Sequence, residues 1–149
     1  MDDDERVDRN WNELLQELRV AQTGVQILTA FLLTVPFAPG FERLDGVDRG
    51  VFAAVLTCAL LSTILLTTPV ALHRQLFHRG RRRWLVAAAH RSAQVGLALL
   101  VVANVGAAWL VLGLLVPTTV AGVISALLAT VALGLWVVLP WRMRRRHRR

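Results

Sequence analysis

Apolar residues fall along this chain in four long runs, and short polar segments separate them. The first, about Val20–Phe37, is entered by a charged amphipathic helix without a Gly-Pro break. From Trp11 onward Leu14, Leu15 and Leu18 are interleaved with Glu13, Glu17 and Arg19. That spacing places leucines on one helical face and charges on another, as suits a helix entering a bilayer surface. The other runs span about Val51–Leu72, Ala93–Val116 and Val120–Leu139. Eighteen residues at ~1.5 Å each reach ~27 Å, enough to cross a hydrocarbon layer of ~30 Å. The pattern predicts an all-α, polytopic membrane protein with four transmembrane helices in a bundle.

Breakers and caps mark the ends. Residues 1–10 begin MDDDERVD without apolar periodicity and are expected to be a disordered acidic tail, with Asp8 or Asn10 capping the first helix. Pro36, Pro39 and Gly40 close the first span, and FERLDGVDRG leads to the second, which Asp48 is placed to cap. Pro69 is expected to kink the second helix, with the hydroxyls of Thr67 and Thr68 compensating lost backbone bonds. The transmembrane domain then covers residues 11–140, with an Arg/His-rich loop at 73–91, and residues 141–149 form an Arg-rich tail.

Polar positions inside the runs are few. Asn12, Gln16, Arg19, Thr23 and Gln26 recur at alternating spacings of four and three, making a stripe along the first helix that should face protein or water rather than lipid. Gln22, Gln94 and Asn104 also lie at membrane depth, where interhelical hydrogen bonding is the favoured role. In the fourth span Gly122, Ala126, Thr130 and Gly134 recur every four residues as a groove for close helix approach, beside a parallel row of Ala121, Ser125 and Ala129.

Charge orients the spans. All 17 basic residues are arginine, and the chain carries a net charge of +7 with a mean hydropathy of +0.51. Three arginines precede the first span, six lie in the middle loop and six in the tail, against Arg43 and Arg49 in the remaining connection. This bias predicts an N-in, C-in protein of a bacterial cytoplasmic (inner) membrane. Arg79, Arg81, Arg82 and Arg83, with Arg142, Arg144, Arg145 and Arg146, are the expected contacts to anionic lipid. Arginines that flank apolar spans are expected to meet head groups rather than nucleic acid. Seven acids within residues 1–17 speak against a cleavable signal peptide.

Candidate chemistry is sparse. All ten acids lie at or before Asp48, so Glu13 and Glu17, at the inner edge of the first helix, are the carboxylates nearest a span interior. His73 and His78 are five residues apart, on different helix faces, and no cysteine or acid nearby completes a metal set; no metal or cofactor is expected. No nucleophile elbow, phosphate loop or zinc-protease motif occurs, and no enzyme is expected. Cys58 reads as a small residue within the second span.

The stretches NELLQELRVAQTGVQILTAFLLTVPF and PVALHRQLF resemble a family of small four-span membrane proteins from actinobacteria and some other bacteria, some members of which are labelled sodium:proton antiporters. The positions that carry the resemblance are Asn12, Glu13, Leu14, Glu17, Arg19, Gln22, Thr23, Gly24 and Gln26, then Pro69, His73 and Arg74. It implies the same fold and membrane address. Two functions follow as expectations. The first is a non-enzymatic membrane protein acting through association with itself as a homo-oligomer, with anionic lipid or with a partner. The alternative is a cation/proton or cationic-solute exchanger using Glu17, helped by Glu13, Gln22, Gln26 and His73. Glu13, Glu17, Arg19, Gln22, Thr23, Gln26, His73 and Arg74 are therefore the candidate site.

Overall fold

A computed structural model describes the backbone of residues 3–76 and 82–138 and the side chains of residues 16, 18–71 and 87–136. The chain is all-α. Helix α1 is Asp3–Thr34, α2 Gly46–Leu76, α3 Arg82–Leu115 and α4 Thr118–Leu133, which continues into a π-helical turn at Gly134–Val138. Within them Leu18–Phe37, Gly46–Ala71, Ala87–Leu115 and Thr118–Trp136 are long and apolar enough to cross a membrane. This is a multi-pass helical membrane protein.

Several ends differ from the sequence expectation. Helix α1 begins at Asp3 rather than Trp11, so residues 3–10 are helical where a disordered tail was expected. Asp8 and Asn10 are interior helical positions and cap nothing. Helix α2 starts five residues before Val51, and its cap is Asp45 rather than Asp48: the Asp48 N–H donates to Asp45 Oδ1 at 2.7 Å. The first backbone bond, from Arg49 N–H to the Asp45 carbonyl at 3.1 Å, confirms the register. Asp48 is the donor partner at the third helical position, a favourable place for an acid.

Between α1 and α2 the chain makes two 3-10 turns, Val35–Phe37 and Phe41–Arg43. Gly40 joins them with a φ of 105°, a left-handed conformation that a Cβ would oppose. Before α4 the Pro117 carbonyl accepts from the N–H groups of Val120 and Ala121, at 2.9 and 3.1 Å. A proline just outside the first turn removes a donor that had no helical partner.

The chain divides into two compact units. One comprises Met1–Arg43 and Leu56–Leu100, the other Leu44–Val55 and Val101–Arg149. In the first, α1 turns Leu18, Val25, Thr29 and Leu32 inward, and Leu18 and Val25 join Leu66 of α2 and Ala93 of α3 in a core flanked by Ala21, Leu97 and Leu100. Close approach here depends on Gly96, where a Cβ would sit 3.0 Å from Leu66 Cγ and 3.2 Å from Leu65 Cβ.

In the second unit α3 approaches the start of α2 at Gly106, whose absent Cβ leaves room for Val55 Cγ2. Gly122 of α4 lies against the Trp109 ring in the same way. The buried row of α4 is Ala121 and Ser125 with Ala129 half-buried, whereas Ala126, Thr130 and Gly134 are exposed. The groove expected along Gly122, Ala126, Thr130 and Gly134 is thus corrected by one residue: only Gly122 of that row makes a close approach.

Candidate functional site

The polar residues of α1 sort onto two faces. Gln22 lies on the packed side, between Leu18 and Val25, and its Nε2 donates to the Leu66 carbonyl of α2 at 2.7 Å. Pro69, fully buried within α2, lies nearby; it has no N–H for the Leu65 carbonyl, whereas the Leu66 carbonyl that takes the Gln22 bond has the Val70 N–H as its helical donor. Thr67 Oγ1 bonds the carbonyls of Thr63 and Ile64 at 2.9 Å each, and Thr68 Oγ1 bonds that of Ile64 at 2.8 Å. These hydroxyls therefore tie the preceding turn and do not replace the bond lost at Leu65.

Two turns further along α1, Thr29 Oγ1 donates to the Val25 carbonyl at 2.7 Å and lies 3.4 Å from Thr63 Oγ1, which itself donates to the Ala59 carbonyl. At the neighbouring position on α2, Ser62 Oγ donates to the Gly96 carbonyl of α3 at 2.7 Å. Gly96 thus allows both the steric approach and the hydrogen bond. Ser62, Thr29 and Thr63 did not stand out as interaction residues in the sequence. The signal that identifies Ser62 is the buried series Phe52, Val55, Ala59, Ser62, Leu66 and Pro69, spaced three and four residues apart on α2. A serine on such a face needs an acceptor, which is commonly a neighbouring backbone.

The second face of α1 points away from this core. Gln16, Arg19, Thr23 and Gln26 are all exposed. Thr23 Oγ1 satisfies itself on the Arg19 carbonyl at 3.0 Å. Among the described residues the Gln26 side chain has no hydrogen-bond partner. The candidate set is therefore split: Gln22 is a bridge within the unit, while Arg19, Thr23 and Gln26 form an outward stripe about one-fifth of a turn away. The inward face of α1 instead carries Leu18, Val25 and Leu32, which gain most from burial.

Glu13 and Glu17 ride on α1, and His73 and Arg74 on α2, but their side chains lie outside the described residues, as do those of Arg82 and Arg83 at the start of α3. Arg79, Arg81, Arg142, Arg144, Arg145 and Arg146 lie outside them entirely. Gln94 and Asn104 of α3 are exposed. Among the described residues no three His, Cys, Asp or Glu side chains gather as a metal set. In the second unit Ser125 Oγ is buried without a partner among the described residues.

Chemically, the inward face is a set of neutral hydroxyl and amide donors committed to carbonyls. It can fix helix register and presents no described acid or base. The outward stripe offers an unpaired amide and a guanidinium on one helix edge.

The chain matches a family of unknown function, DUF6328, over residues 2–140, and belongs to it. No curated protein and no solved structure matches it.

Proposed function

We propose that this DUF6328 protein is a non-enzymatic membrane component that works by association: with itself, with anionic lipid or with a partner helix. The observation that carries this reading is the division of polar groups on α1. The inward Gln22 is closed off by the Leu66 carbonyl, while Arg19, Thr23 and Gln26 face outward over a span running from Leu18 to Phe37. Polar side chains at that depth are costly in lipid and are retained where something meets them. The arginine distribution supports an N-in, C-in orientation in a bacterial cytoplasmic membrane, with the middle loop and tail against anionic head groups.

The test is the mass of the full-length protein released from nanodiscs of phosphatidylethanolamine and phosphatidylglycerol. Oligomers, or retained phosphatidylglycerol, are the expected species. A strictly monomeric chain that exchanges anionic and zwitterionic lipid equally would refute the reading.

A further inference from the structure

We propose that the outward face of α1 is a coiled-coil seam that pairs with α1 of a second copy, with Gln26 as the hydrogen-bonded centre. The proposal rests on the association reading and names its surface and its partner.

The seam is longer than the polar stripe. Gln16, Arg19, Thr23, Gln26, Ala30 and Leu33 follow one another along α1 at spacings of three and four, and every one is exposed; Phe37, also exposed, lies just beyond in the 3-10 turn Val35–Phe37. Sustained alternation of three and four keeps one line of residues facing a single partner helix once the two supercoil. The core-facing series of α1, through Leu18, Val25 and Leu32, runs parallel to it and is already occupied by α2 and α3. One seam of α1 is therefore filled, and of its exposed rows this one carries Gln26 at membrane depth.

The chemistry of the open seam selects the occupant. Gln26 lies eight residues into the span that begins at Leu18, or ~12 Å along the helix, well inside the hydrocarbon. A primary amide is both donor and acceptor, so it is complementary to itself. A two-fold axis along the membrane normal brings an identical residue to the same depth, and the two amides can then close reciprocally. Another copy in the same orientation meets this condition with no further requirement. Ala30, one turn above, is small enough to let the backbones approach. Leu33 and Phe37 supply apolar contact at the far end. Arg19, seven residues before Gln26, is at the span's edge, where its long stem lets each guanidinium reach a head-group phosphate instead of its twin.

Cysteine scanning of the full-length chain tests this. In a Cys58→Ser background, single cysteines replace Thr23, Ala30 or Leu33 on the seam. Controls replace Val20, Ile27 or Phe31, which are 75%, 57% and 69% exposed but lie off it. The proteins are oxidised in phosphatidylethanolamine/phosphatidylglycerol vesicles. Seam positions should yield a species of twice the 16.5 kDa chain at several-fold the off-seam level. Gln26→Leu should weaken dimerisation on the order of tenfold in single-molecule photobleaching. Gln26→Asn, which keeps an amide, should retain most of it. Because Gln26 is exposed and its side chain has no hydrogen-bond partner among the described residues, neither change should disturb the chain's own packing. Cross-linking that is even around α1, or strongest at 20, 27 and 31, overturns the seam but leaves association standing. In native membranes, a cross-linked product of another mass overturns the choice of a second copy. A chain that inserts but stays monomeric in vesicles, and retains no anionic lipid, overturns both.

Discussion

Replacing Gly106 with alanine adds one methyl group at the closest described approach between α2 and α3. The new Cβ would overlap Val55 Cγ2. A valine in a helix has essentially one χ1 rotamer, so Val55 cannot swing aside and the helices must separate. Overpacking of this kind costs ~1–3 kcal/mol. Alanine recovers up to ~1 kcal/mol of that through its better helix propensity. The expected net loss is about 1–2 kcal/mol. Gly113→Ala on the same helix is the matched control, since nothing lies within 4 Å of its missing Cβ. That variant should be neutral or slightly more stable. The assay is unfolding in mixed micelles at rising dodecyl sulfate fraction, followed by maleimide labelling of Cys58, which is half-buried on α2. Val55→Ala should remove the clash, so a double-mutant cycle should show at least ~1 kcal/mol of favourable coupling between positions 55 and 106. Equal midpoints for Gly106→Ala and Gly113→Ala, or no coupling to Val55, would refute the steric argument.

Three other outcomes are expected. Gln22→Leu keeps the side-chain volume but removes the donor to the Leu66 carbonyl, so the same titration should show a loss of ~0.6–2 kcal/mol, while Gln26→Leu leaves the monomer's midpoint unchanged. Asp45→Ala should destabilise the start of α2 by ~1 kcal/mol, seen as faster amide hydrogen exchange at residues 47–49, whereas Asp48→Asn, which is not the cap, should change it far less. In proteoliposomes with imposed Na⁺ or K⁺ gradients the protein should carry no proton flux; cation-dependent flux that disappears in Glu17→Gln would instead establish the exchanger and place its carboxylate on α1.

The four spans were legible because a bilayer demands uninterrupted apolar length, and nothing else in a chain of this size produces four such runs. Helix ends were less so. Asp45 and Asp48 have the same side chain three residues apart, and only the hydrogen bond from Asp48 N–H shows which of them caps. In α4 two adjacent small-residue rows compete, and composition cannot rank Gly122/Ala126 against Ala121/Ser125. The polar stripe on α1 was visible, but its direction was not. A sequence shows that Gln16, Arg19, Thr23 and Gln26 share a face; which face the core takes depends on how much apolar area the other side can bury. Gln22 was recognised as a polar group at depth, yet its acceptor is a backbone oxygen, and carbonyls leave no mark in residue identity.

The bond from Gln22 to Leu66 also sets a timetable. Its two ends are 44 residues apart. At ~5–20 residues synthesised per second, the acceptor follows the donor by about 2–9 s. Through that interval α1 has emerged from the ribosome, but the amide on its inner face has no partner in the finished fold. The first of the four helices to be made thus waits for the second before its inner face is satisfied, so its early survival depends on whatever holds it at the site of insertion.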